Sequence, residues 1–178
     1  ELGAALIKFI KETNGFQPKH ILLCNPMAGH YVWEARLQML GETLEKEYGT
    51  KQDKVVVGED PTKAMEIIRA FLVKNPEVDV ICAPTHFTHA NVSLVKELGR
   101  EAGKDIYLCC FDMMPETLQD IKDGKVVCTH DQQQYLQGFL PLIDLYLYKA
   151  KYNVHPYGIV STGPIIIDRY NVDTVIEG

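Results

Sequence analysis

Asn25, Thr85, Asp112 and Gln132 each stand just beyond a run of β-prone residues, and Gly58 follows a fifth such run. Side chains just past strand carboxyl ends are where open α/β sheets hold small molecules, because backbone groups there are unpaired and the neighbouring helices begin there. The same stretches carry rings: His30, Tyr31 and Trp33 after the first run, His86 after the third, His130 after the fifth. A carboxylate, amides, a hydroxyl, imidazoles and aromatic faces in one place suit a polar, ring-shaped ligand. Any one of these residues alone also fits the ordinary polarity of a loop.

Two pairs raise the question of catalysis. His86 and His89 are spaced to share a metal on a helix, and His130 next to Asp131 has the makings of a general base. No third metal ligand has a recognisable spacing, and neither a Gly-x-Ser-x-Gly elbow nor a phosphate-binding Gly-rich loop is present. The expectation is binding without chemistry, with no cofactor and no metal. The five cysteines, at 24, 82, 109, 110 and 128, are odd in number and lie mostly within apolar runs. They read as buried small apolar residues rather than a disulfide framework or a zinc ribbon, and Cys109 and Cys110 must point to opposite faces of a strand.

The elements that position these residues alternate. Strand candidates are 20–24, 54–57, 78–82, 106–111 and 125–129, and between them run helical stripes: Trp33, Leu37, Leu40 and Leu44; Ala64, Ile67, Ile68 and Phe71; Val95, Leu98 and Ala102. Such alternation predicts βαβ units, a doubly wound α/β fold with helices on both faces of a parallel sheet of about five strands. Right-handed crossovers then place all the strand ends on one edge.

After Gln132 the pattern changes. Leu136, Phe139, Leu140, Leu142, Ile143, Leu145, Tyr146, Leu147 and Tyr148 make a helix apolar around nearly its whole circumference, which must be covered on more than one side. Pro141 predicts a kink or a break near Gln137. The run Ile165-Ile166-Ile167 is placed to return to the sheet edge. With 178 residues, 46% hydrophobic, the chain suffices for one domain plus an appendage, and a net charge of −6 without a basic run argues against a nucleic-acid backbone as partner. No apolar run reaches transmembrane length, and the start lacks a charged segment with a cleavage site, so the chain is cytosolic or its true start is missing.

The segments Cys110-Phe111-Asp112 with Pro115-Glu116-Thr117-Leu118 and Ile121-Lys122-Asp123-Gly124, then Thr129-His130-Asp131-Gln132 with Tyr135-Leu136-Gln137-Gly138, then Thr162-Gly163-Pro164 with Asn171-Val172-Asp173, together resemble type I periplasmic binding proteins. The likeness is to ribose-binding-type sugar components of ABC importers and covers nearly the whole chain. It implies one lobe of such a protein, with strand order 2-1-3-4-5. Residues 1–132 would form ligand-binding lobe two, 133–157 a helix that packs on an absent lobe one, and 158–178 a strand and tail returning to lobe two. Carried over by position, Arg36, Asp112 and Gln132 match the ligand-contacting arginine, aspartate and hinge glutamine. A carboxylate accepts hydrogen bonds from adjacent sugar hydroxyls and a guanidinium donates in a fixed fork. Alternatively, Arg36 is a solvated helix residue, Asp112 a helix cap and Gln132 a strand-end polar group. Where the family shows an Asn-Asp pair this sequence has Thr85-His86, which points away from the usual pentose or hexose. Tyr31 and Trp33 are candidates for stacking on a sugar ring, although the stripe position of Trp33 also suits core.

The resemblance implies a sugar-like ligand, a transporter permease and an N-terminal lobe or a second copy through 136–148 as partners, in the periplasm or anchored outside the cell membrane. A cytoplasmic alternative with the same fold is the effector-sensing core of a lactose-repressor-type regulator, where free cysteines are ordinary. A single lobe presents half the ligand contacts, so weak or absent sugar binding by this chain alone is expected.

Overall fold

The computed structural model describes residues 1–12, 16–152 and 158–177. Uninterrupted apolar runs make strands covered on both faces. His20–Asn25 (β1) is buried at all six positions, and Val80–Pro84 (β3) and Tyr107–Phe111 (β4) at all five. Lys51–Val56 (β2) takes the sheet edge. It begins three residues before the expected Lys54, because an edge strand paired His20 to Lys51 tolerates charged side chains that face water. Val126–Asp131 (β5) and Ile165–Asp168 (β6) complete a six-stranded sheet, ordered β2-β1-β3-β4-β5-β6. The pairings from β2 through β5 are parallel.

Helices Leu2–Glu12 (α1) and Tyr31–Tyr48 (α2) bury Leu2, Leu6 and Ile10 with Leu37, Leu40 and Leu44 against one face of the sheet. Pro61–Lys74 (α3), Thr85–Glu97 (α4), Pro115–Lys122 (α5) and Val172–Glu177 (the last helix, α7) cover the other. The α3 start combines Pro61 in the first turn with Asp60, whose carboxylate accepts from the Lys63 amide at 2.9 Å. Its inward stripe is Ala64, Ile68 and Leu72, with Ile67 exposed and Phe71 half-buried, one position round from the stripe the sequence suggests.

At the amino edge of the sheet His20 is only 1% exposed, and both its ring nitrogens face carboxylates. Nε2 lies 2.7 Å from Asp53 and Nδ1 3.2 Å from Glu77, so one imidazole ties β1 to β2 and to the approach to β3.

By compactness the chain divides into residues 1–130 with 166–178, and residues 131–165. In the second unit Gln134–Leu147 (α6) runs through Pro141 and ends in a π-helical turn, Tyr148–Tyr152. The break expected near Gln137 is therefore absent. The carbonyl that Pro141 leaves without a donor belongs to Gln137, which is exposed, so the missing N–H costs the helix little. No residue of α6 is buried. Tyr135, Leu142 and Tyr146 are 78%, 66% and 64% exposed. The helix, with Gly158, Val160 and Thr162, lines an apolar groove of about 840 Å³ that contains none of the strand-end residues. No helix among the described residues is long and apolar enough to cross a membrane.

Candidate ligand-binding site

The carboxyl edge of the sheet is built from the first β–α connection outward. Asn25 closes β1, fully buried, accepting from the Met27 amide at 3.0 Å and donating through Nδ2 to Glu34 at 2.9 Å. The same Glu34 oxygen accepts from the Gly29 amide at 3.0 Å, and its other oxygen pairs with Lys54. The Lys54 ammonium, then the Gly29 and Asn25 donors, hold the Glu34 carboxyl below the usual carboxylate range. This network pins the loop 25–30 to the first turn of α2 and so fixes where Arg36, one half-turn on, is presented.

Arg36 is half-buried rather than solvated, its guanidinium lying 5.2 Å from the Phe111 ring and 5.6 Å from the Trp33 ring. Trp33 meets Phe111 edge-to-face at 5.8 Å, and His130 meets the same ring at 5.7 Å. A cation over an aromatic face gains electrostatic attraction without losing its outward N–H donors. Phe111, buried at the end of β4, is thus the platform on which the edge is assembled.

Asp112 follows it in the left-handed region, φ +71. Its amide donates to the His130 carbonyl at 2.8 Å, and its carbonyl accepts from Thr129 Oγ1 at 2.5 Å. The N-cap position of α5 is Met114, which makes no side-chain cap. Non-glycine residues in this backbone region are uncommon and gather at functional sites. The Asp112 carboxylate bears on both imidazoles of this edge. Burial holds His86 below its ordinary value, against Glu59 and Asp112, which pull it up. Burial also lowers His130, assisted by the Arg36 charge and opposed by its own backbone and by Asp112.

The remaining predicted residues divide. Thr85 opens α4 and is 7% exposed, its hydroxyl 3.0 Å from that of Thr117, so it joins α4 to α5 inside the protein. His86 is exposed, its ring 3.9 Å from that of Phe87. Tyr31 is 83% exposed, and Trp33 is half-buried against the core. Gln132 belongs to the second unit, where its carbonyl accepts from Gln137 and from Thr162. His89, the other half of the possible metal pair, has Nδ1 2.6 Å from the buried Asp120 carboxylate. Among the described residues no group of three His, Cys, Asp or Glu side chains is arranged to hold a metal ion. The residues that sequence reasoning passed over are Glu34 and Phe111. An acid in the first turn after a polar loop marks the first; nothing in a run of apolar strand residues distinguishes the second.

The fold is an open parallel sheet whose carboxyl edge gathers the Arg36 guanidinium and the His130 imidazole at the Phe111 ring, with Asp112 next in the chain. The chain belongs to the periplasmic binding protein domain family, whose model matches residues 1–149. A xylose/arabinose-binding protein of Sulfolobus acidocaldarius is 29% identical over 144 residues, 78% of this chain and 35% of that protein. Among solved structures, a carbohydrate transporter of Acidothermus cellulolyticus in complex with myo-inositol is 22% identical, with a TM-score of 0.77 over 99% of this chain and 59% of that one. A periplasmic ribose ABC transporter protein of Conexibacter woesei is 18% identical with a TM-score of 0.81, again over 99% and 59%. The chain thus spans about a third of the curated relative and about three fifths of the solved structures. All three are sugar- or polyol-binding or transport proteins, not regulators.

Proposed function

We propose that this chain is the sugar-binding lobe two of an extracytoplasmic solute-binding protein that delivers its ligand to an ABC importer. The observation that supports it is the arrangement of Arg36 and Asp112 about Phe111. A cationic donor lies on one aromatic ring, and the residue that follows that ring in the chain carries an acceptor carboxylate, the pair of groups that neighbouring hydroxyls and a ring oxygen call for. Sugars, polyols and furanose-like molecules fit; the Thr85-His86 pair, in place of one side-chain amide and one carboxylate, leaves the edge one imidazole there.

The reading extends to the second unit. A helix with no buried residue and a long apolar groove is a surface that folding of this chain leaves exposed to water. We assign it to an N-terminal lobe, with Gln132 at the hinge between the two. Ligand is then clamped between lobes, and the permease reads the closed form. The five thiols do not oppose an extracytoplasmic location, because all are buried. Burial raises Cys24, Cys82 and Cys128, and pushes Cys110 up to about 12.

The test is a titration of the chain with xylose, arabinose, ribose and myo-inositol, followed by amide NMR. Millimolar sugar is expected to shift the Arg36, Asp112 and His130 signals, and equal concentrations of an amino acid to leave them unmoved. Unmoved spectra with every sugar would overturn the proposal.

A further inference from the structure

Resting on that function, one residue of the edge has a role that neither the family likeness nor the predicted contacts assign. His130 ends β5 with its ring half-buried against Phe111. Its Nδ1 is shielded from solvent and has no hydrogen-bond partner among the described residues. The exposed part of the imidazole is therefore the rest of the ring.

A neutral imidazole has one N–H and one bare nitrogen, and the position of the proton follows from what each nitrogen meets. A proton on Nδ1 would be a buried N–H without an acceptor, among the costlier arrangements inside a protein; a bare Nδ1 costs less. A second proton would place that same unsatisfied N–H beside the Arg36 charge. Burial and then Arg36 hold the ring below its ordinary titration range, against the pull of the residue's own backbone and of Asp112; that backbone does not reach hydrogen-bond geometry with Nδ1. The backbone fixes the ring in turn, since the Asp112 amide is bonded to the His130 carbonyl at 2.8 Å.

We infer that His130 is a specificity-determining residue of the ligand edge: with its proton on Nε2, it donates one hydrogen bond to a sugar oxygen lying between Arg36 and Asp112. Asp112 is the acceptor of this edge and Arg36 the charged donor. His130 adds an uncharged donor that reads a hydroxyl or ring oxygen and rejects a ligand presenting an ammonium or amide N–H there.

The test has two arms on the intact chain. Long-range nitrogen–proton NMR of the imidazoles is expected to show His130 with a bare Nδ1 and a protonated Nε2. His89, whose Nδ1 faces Asp120 at 2.6 Å, is expected to carry a proton on Nδ1 in the same spectrum. A protonated His130 Nδ1 near neutral pH overturns the inference. In the second arm the sugars named above are titrated against the wild type, His130→Leu and His130→Gln, each checked for fold by circular dichroism. The Leu variant is expected to weaken sugar binding about tenfold, the worth of one hydrogen bond, and the Gln variant, which keeps an N–H donor, to recover most of it. Equal binding by wild type and the Leu variant overturns this inference alone. If no sugar binds the wild type, the proposed function falls and the donor role falls with it.

Discussion

The amide of Asp112 donates to the carbonyl of His130 across 2.8 Å, and Asp112 is held at φ +71 to do so. One bond therefore sets both the turn that presents a carboxylate and the strand end that presents an imidazole. The two residues proposed to touch ligand, one just past β4 and one in β5, are therefore linked through the backbone, with the His130 ring packed on Phe111.

Substitutions at Asp112 separate conformation from chemistry. Asp112→Gly and Asp112→Asn both suit the left-handed backbone, so urea unfolding is expected to place them within about 1 kcal/mol of wild type. Asp112→Val forces a β-branched residue there and is expected to lose about 1–3 kcal/mol. All three are expected to abolish the sugar-induced shifts, which only the carboxylate supports.

The His20 clamp predicts acid sensitivity remote from the ligand edge. For Asp53, burial acts upward but is outweighed by hydrogen bonds from His20 and Lys51, leaving it below the usual range. Glu77 is lowered first by its own backbone amide and then by His20. Both titrate lower folded than unfolded. Their contribution is present above the unfolded carboxylate values of about 4 and is lost as pH falls through the folded ones. Urea midpoints measured on descending pH are expected to fall more steeply for wild type than for His20→Gln, with the two curves converging in acid.

The thiols give a test of the core. Cys82, Cys109 and Cys128 occupy paired positions on β3, β4 and β5, and the hydrogen bond with Cys82, then burial, raise Cys109. The thiolate is the reactive form. Native protein is expected to take up no iodoacetamide at mildly alkaline pH, as read by mass spectrometry, and urea-unfolded protein to take up five equivalents. Rapid labelling of any one cysteine in the native state would contradict the burial.

Because α6 buries nothing in this chain, its apolar residues are expected to matter for association and not for folding. Leu142→Glu combined with Leu145→Glu is predicted to leave the melting temperature unchanged while suppressing self-association and dye binding, measured by sedimentation and fluorescence. A large loss of melting temperature would show that the helix is covered from within.

By itself the sequence determined the class of fold. Apolar runs such as 20–25 and 107–111 are readable as doubly covered strands, and stripes such as Leu37, Leu40 and Leu44 as helices packed upon them, because side-chain period and burial are local properties. It also named the edge, since strand ends follow from chain order and crossover handedness. Only the tertiary structure decided which polar residues the edge keeps. Thr85 and His86 are adjacent in sequence, yet one hydroxyl is sealed against Thr117 and the other side chain is exposed. Phe111 is one apolar residue among five in its strand until Trp33, Arg36 and His130 converge on its ring from two other elements. Convergence of that kind depends on distances between segments far apart in the chain, which no local pattern encodes.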